Sequence, residues 1–315
     1  MEHRLEPVDV AQTARDLWGI TAADVHLLSG PAYHGAPWSY AAMHLAIGAT
    51  VVVMPRFDAT AWLRLVATER VTTTFMVPSH FVRILELPSE ERDRYDMSSL
   101  RLVVHGGESC PVALKWGVLD WLTTAEVWEI YGFTEGGRLT RVGPDEWRAH
   151  PGSVGRPLPG VELAVLDADG MPLPPGHTGS IAVRRDRWVS GGDLGHFDAD
   201  GYLFVTDRSA ELIVRGGVNV SPREVERVLL EHPAVRDATV FGVPDERVGE
   251  RVHALVELRA DVNAGELEEH CRHFLAPVKC PQVEIVTELP RDPSGRVRKV
   301  LLRERYRNVV EASHA

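Results

Sequence analysis

Short β-branched runs alternate with helical patterns through the first third of the chain, and few folds accommodate that order. Val25–Ser29 reads as a strand and Trp38–Ile47 as a helix. Thr50–Met54 (TVVVM) reads as a buried strand, Thr60–Thr68 as a helix and Thr72–Val77 as a strand. Leu100–His105, a helix over Val112–Leu122 and the strand Glu126–Tyr131 continue the series. Continuous apolar strands separated by helices predict a parallel sheet covered on both faces, an α/β layer architecture.

The texture changes after Pro151, where Gly and Pro become dense (GSVGRPLPG, then DADGMPLPPGHTG) and the strands between them shorten. That stretch predicts a small, turn-rich β subdomain. A third texture begins near Asp207. Ser221 is placed to cap a helix over Ser221–His232, with Pro222 at its first position and Glu224 in its first turn. Strands at Ala238–Gly242 and Val252–Leu258 and a helix over Gly265–Leu275 complete a compact α+β segment. The expected organisation is a domain over residues 1–206, with its β-rich part at about 151–206, and a second domain over 207–315.

Bulk properties exclude several classes. At 315 residues, 44% of them apolar, the chain can build a core for about two domains without staples. A net charge of −11 supplies no positive field for a nucleic-acid backbone. Basic residues do gather late, at Arg291, Arg296, Arg298, Lys299, Arg303, Arg305 and Arg307; they read as a solvated helix face or as a phosphate-contacting tail. Cys110, Cys271 and Cys280 form no paired framework, which suits inert thiols in a reducing compartment. No apolar run approaches the roughly 20 residues of a membrane span, and residues 1–20 lack the order of a signal peptide. A cytoplasmic protein is expected. No GxSxG elbow occurs, and His270-Cys271-Arg272-His273 lacks zinc spacing and reads as a surface helix.

Six short motifs carry the chemistry. Gly106-Gly107-Glu108 follows a strand, and its glycines permit close backbone approach to a flat ligand. Tyr131-Gly132-Phe133-Thr134-Glu135 opens a Gly-rich loop whose hydroxyl and N–H groups suit an anionic oxygen, with a carboxylate for a cation. Gly191-Gly192-Asp193-Leu194-Gly195 sets a carboxylate in a tight turn, suited to ribose hydroxyls. Then follow Asp207-Arg208, the stretch from Arg215-Gly216-Gly217 to Glu226, and Pro290-Arg291-Asp292-Pro293-Ser294-Gly295-Arg296.

In that order the set resembles the adenylate-forming superfamily of acyl-CoA synthetases, adenylation domains and luciferases, over nearly all of the chain. The resemblance implies a partial N-terminal domain, made of a parallel-rich sheet plus the small β subdomain, and a smaller mobile α+β C-terminal domain. It implies that Tyr33-His34 gates the acyl pocket and that Gly106, Gly107 and Glu108 line the adenine and acyl-carbonyl side. Tyr131, beside Gly132, would stack on adenine, Thr134 would contact phosphate and Glu135 would ligate Mg²⁺ if ATP is bound. Asp193 would hold the ribose with help from Arg208, and Arg208, Ser209, Ala210 and Glu211 would form the hinge. Gly216-Gly217 would line the CoA pantetheine tunnel.

The family reaction makes an acyl-adenylate from ATP and a carboxylic acid, then displaces AMP with the CoA thiol. Its first step uses a Ser/Thr/Gly-rich phosphate loop ending in Lys, and this sequence contains no such segment. The C-terminal Lys of that step is Arg296 here, and a planar guanidinium does not replace a compact ammonium; Lys299 lies three residues on. The ligands implied are therefore CoA and an acyl-AMP or AMP, while ATP and Mg²⁺ are in doubt. Three readings follow. The chain transfers acyl groups from a preformed acyl-adenylate to CoA; it is part of a split but complete ATP-dependent ligase; or it is a non-catalytic scaffold on a full-length ligase, since an open sheet edge asks for a partner or for self-association.

Overall fold

The structure is a computed structural model that describes residues 10–30, 35–133, 136–291 and 297–313, the last seven as backbone. The chain forms two compact units, one from residues up to Phe133 with Gly137–Pro159, the other from Gly160 onward with residues 134–136.

The first unit runs α1 (Val10–Trp18), β1 (Val25–Ser29), α2 (Gly35–Ile47), β2 (Thr50–Met54), α3 (Ala59–Glu69), β3 (Thr73–Met76), α4 (Pro78–Leu85) and the short α5 (Ser89–Arg92). It continues with β4 (Leu102–Gly106), α6 (Val112–Trp121), β5 (Glu126–Phe133), β6 (Gly137–Val142), α7 (Pro144–Ala149) and β7 (Arg156–Pro157). One seven-stranded sheet results, in the order β2-β1-β3-β4-β5-β6-β7. The first five strands are parallel, and β6 and β7 run antiparallel. This is the α/β, parallel-rich arrangement that the alternating runs predict.

Helices start where the chain supplies their caps. Asp58 accepts from Ala61 N at the head of α3, and Arg70 ends that helix in the left-handed region. On one face of the sheet Trp18, Tyr40 and Met43 of α1 and α2 bury Phe75, Leu102 and Val104. On the other, Trp62 of α3 donates through Nε1 to Ser29 Oγ. The strand Thr50–Met54 is not buried as expected. It forms the sheet edge, and Val53 is 56% exposed. Its TVVVM run has the side chains of a central strand, but no strand pairs with its outer side among the described residues.

The second unit holds two sheets. β8 (Leu163–Leu166), β9 (Gly179–Arg184), β10 (Trp188–Phe197) and β11 (Leu203–Arg208) form an antiparallel sheet in the order β11-β10-β9-β8, which is the turn-rich β part. A 3₁₀ turn, Ser209–Glu211, leads into β12 (Ile213–Arg215), β13 (Val218–Val220), α8 (Pro222–Leu230), β14 (Val235–Asp245), β15 (Gly249–Leu258), α9 (Ala264–Phe274), β16 (Gln282–Val286) and α10 (Lys299–Ser313). Ser221 caps α8 by accepting from Glu224 N. Val225, Val228 and Leu229 of α8 and Leu267 and Cys271 of α9 bury Val240, Ala254 and Val256 of the five-stranded sheet. Cys271 thus faces the core, and only part of the helix that carries it is surface. The α/β first unit and the smaller α+β region that ends the chain agree with the fold class the sequence predicts.

Candidate active site

In the first unit the two predicted motifs lie on neighbouring parallel strands, and Tyr131, Gly132 and Phe133 stay within β5, paired with β6, where the sequence predicts the opening of a loop. Gly106, the last residue of β4, pairs with Ile130 of β5, which brings Gly106-Gly107-Glu108 beside Tyr131 and Gly132. A side chain at Gly106 would put its Cβ 2.5 Å from the Ile130 carbonyl oxygen, so only glycine allows that approach. Glu108 Oε2 accepts from Ser79 N at 3.2 Å, at the head of α4, whose own N-cap residue Val77 offers no side-chain bond. An anionic group is thereby set at a helix N-terminus, where the backbone partial charge favours it. Tyr131 stands edge-on to Phe133, with ring centroids 6.5 Å apart. Ligands of open α/β sheets bind beyond the carboxyl ends of the strands, where this pair of motifs lies.

Beneath these motifs lies a buried polar group that sequence reasoning missed. Lys115 of α6 is fully buried, and its Nζ donates to His105 Nε2 and to Glu129 Oε2, the latter at 3.4 Å. Burial, then the Lys115 charge, holds the His105 imidazole far below its ordinary value, so it is neutral and accepts. Burial pushes the Glu129 carboxyl up, and the Lys115 ammonium opposes the rise. The available signal was spacing: Lys115 shares a helix face with Val118, Leu119 and Leu122, all buried.

In the second unit, Asp193 of β10 and Arg208 of β11 are register partners, and Arg208 Nε donates to Asp193 Oδ1 at 2.8 Å. Asp193 is buried while half of the Arg208 side chain is exposed, so the pair presents a guanidinium over a fixed carboxylate. Ser209, Ala210 and Glu211 form the 3₁₀ turn between the two sheets. Gly216 and Gly217 are the two-residue turn of the β12–β13 hairpin, with φ of 58° and 80°. Both angles are positive, as a type I′ turn requires. The hairpin is anchored by Arg215, whose Nη1 donates to the carbonyls of Val278 and Cys280 at 3.0 and 3.1 Å.

Part of the late basic cluster is engaged within the unit. Lys299 Nζ lies 2.7 Å from Glu226 and 3.3 Å from Glu211. Arg303 donates to the carbonyls of Ala210, Glu211 and Leu212 at 2.7, 2.9 and 3.2 Å, and Arg291 pairs with Asp237. Tyr33, His34, Thr134, Glu135 and Arg296 lie outside the described residues. No helix of the described residues is long and apolar enough to cross a membrane.

The family model for AMP-binding enzymes matches residues 6–192, more than half of the chain. The chain belongs to the AMP-binding enzyme family. The family's C-terminal domain matches residues 224–296. Among its relatives, a fatty acid–[acyl-carrier-protein] ligase of Streptomyces coeruleorubidus is 34% identical over 315 residues, covering 90% of this chain and 59% of that protein. The amide bond synthetase McbA of Marinactinospora thermotolerans is similar in structure, with a TM-score of 0.83 and 32% identity over 94% of this chain and 64% of that one. So is the o-succinylbenzoate CoA synthetase of Bacillus subtilis, solved with its acyl-adenylate intermediate, with a TM-score of 0.77 and 30% identity over 93% and 63%. This member of the family therefore spans less than two thirds of the length of these relatives.

Proposed function

We propose that this chain binds an acyl-adenylate and transfers its acyl group to the thiol of CoA, releasing AMP. The observation that carries the reading is the joint presence, within a chain of this family, of the Gly106-Gly107-Glu108 and Tyr131-Gly132-Phe133-Thr134-Glu135 sequences, the Asp193–Arg208 pair and the Gly216-Gly217 hairpin. In the step itself the thiolate sulfur attacks the acyl carbon, a C–S bond forms, and the C–O bond to the phosphate breaks. AMP leaves with the electron pair and the thiol proton passes to solvent. The chain's contribution is to hold the mixed anhydride and the thiol in reacting geometry and to stabilise charge on the carbonyl oxygen. Gly106 and Gly107 bring backbone close to the adenylate, Tyr131 offers a face to adenine, Thr134 meets the phosphate, and Asp193 with Arg208 holds the ribose. His34 stands at the acyl entrance and Gly216-Gly217 admit the pantetheine arm. Arg208 to Glu211 serve as the hinge for residues 212 onward.

The same reading holds that ATP-dependent adenylation by this chain is impaired at Arg296. Lys299 does not substitute for the absent ammonium, because Glu226 and Glu211 hold it. An adenylating ligase would then supply the acyl-adenylate, in the cytoplasm. The test supplies a panel of synthetic acyl-adenylates with CoA, and in parallel the free acids with ATP, Mg²⁺ and CoA. Thioester in the first arm and a rate at least a hundredfold lower in the second is the expected result. Equal rates in both arms would refute the impairment, and no thioester in either arm would refute the transfer reading. An Arg296→Lys variant raises the second arm and leaves the first within about twofold.

A further inference from the structure

A lysine with no exposed surface is rare, and this one fills a helix position where an apolar side chain would pack without removing a charge from water. Its surroundings draw on five elements. Lys115 comes from α6, His105 from β4 and Glu129 from β5, with His105 and Glu129 opposite each other in the parallel register. Phe81 of α4 packs edge-on to the His105 ring at 5.4 Å, and Trp147 of α7 lies 5.7 Å below the ammonium. The next residue after His105 is Gly106, and Tyr131 comes two after Glu129. One ammonium thus ties β4 one residue before Gly106 to β5 two residues before Tyr131.

We propose that the Lys115–His105–Glu129 group is a positioning device for the adenylate site, fixing β4 against β5 so that Gly106–Glu108 and Tyr131–Gly132 face one ligand. The inference rests on the acyl-adenylate reading above. It also accounts for retaining a desolvated ion pair where a hydrophobic substitute would fold at least as well. An ion pair with a directional hydrogen bond holds two strands at one separation, which non-directional apolar contacts do less strictly.

Removing both charges together separates positioning from folding. In Lys115→Met/Glu129→Gln no unpaired charge is left inside, so the melting temperature is expected within a few degrees of the parent chain. AMP affinity, read by calorimetry, is expected to fall at least tenfold. The kcat for thioester formation from acyl-AMP is expected to fall at least tenfold too, with the KM for CoA unchanged. A folded double variant with AMP affinity and kcat within twofold of the parent overturns the proposal. If the double variant does not melt cooperatively, Lys115→Leu/Glu129→Gln, which likewise leaves no unpaired charge, is read by the same criteria. A parent chain that binds AMP but forms no thioester counts against the transfer reading alone, and the triad is then judged on AMP affinity. A parent chain that binds no AMP overturns both.

Discussion

Just ahead of β1, Asp24 accepts from Arg101 Nε and Nη2 at 2.9 and 2.6 Å, from the Thr72 hydroxyl at 2.7 Å and from Thr21 N at 2.8 Å. These bonds join the starts of three neighbouring strands. Burial alone would raise the Asp24 carboxyl, but the bonds from Arg101, Thr72 and Thr21, with the Arg101 charge, outweigh it and hold the group well below the usual carboxylate range. Because the folded-state value is depressed, the stabilisation is present above the unfolded value of about 4 and is lost as pH falls below it. Asp24→Asn is therefore expected to cost about 2 kcal/mol at pH 7, a figure already lowered for the partly exposed Arg101. Thermal melts from pH 7 to pH 3 check it: the gap between parent and variant narrows below about pH 4. A constant gap would mean that the carboxylate's charge is irrelevant to the fold.

The β12–β13 hairpin shows what an element can be asked. A Cβ at Gly216 or Gly217 would meet nothing within 4 Å, so substitution there is limited by backbone conformation and not by space. Gly216→Asn, which keeps a turn residue tolerant of positive φ, is expected to leave stability within about 0.5 kcal/mol. Gly217→Val is expected to cost about 1–2 kcal/mol, because a β-branched residue is strained in the left-handed region. Urea melts measure both, and equal effects would mean that the turn relaxes to another type. This hairpin was only half legible beforehand. The double glycine announced a turn, whereas its register, Arg215 against Val218, depends on strand pairing that no local pattern encodes.

The same division runs through the other elements. Strands β1 to β5 were readable because apolar runs of that length have few alternatives, and α8 because Ser221, Pro222 and Glu224 spell its start. Helix α4 is hidden: the apolar run carries Val77 into the preceding strand, although Pro78 marks the first helical position. The edge position of β2 is illegible, since TVVVM has the side chains of a central strand and no local pattern says which strands flank it. In the site, the resemblance sets Arg208 to assist Asp193 at the ribose, but the ion pair between them appears only once β10 and β11 fold back on each other. Lys115 was passed over because facing inward is a property of its neighbours, not of its own letter.

At the scale of a whole unit, buried histidines set the acid limit. In the first unit burial lowers His26, His44, His80 and His105 below their ordinary value, with His80 pushed down to about 3 by burial and then by Arg83. Each takes up a proton in the unfolded chain below about pH 6.5 and does not in the folded one. Stability is therefore complete above about pH 6.5 and falls as pH drops toward the folded values, by up to about 1.4 kcal/mol per pH unit for each such histidine. Denaturant melts at pH 7, 6 and 5 are expected to show a steepening loss. In His80→Phe, which keeps the stack on Phe57, the loss is shallower by one proton's worth. An unchanged slope in that variant would show that His80 is protonated when folded.

Arg303 reaches back across 93 positions of sequence to seize the carbonyl of Ala210. During synthesis the turn that joins the two sheets of the second unit must wait, unheld, until that arginine has left the ribosome. Its unit is thus committed to late closure, with a whole five-stranded sheet and two helices made before these bonds can set. A translational pause or a proteolytic nick between residues 212 and 303 would strike while the joint is still open.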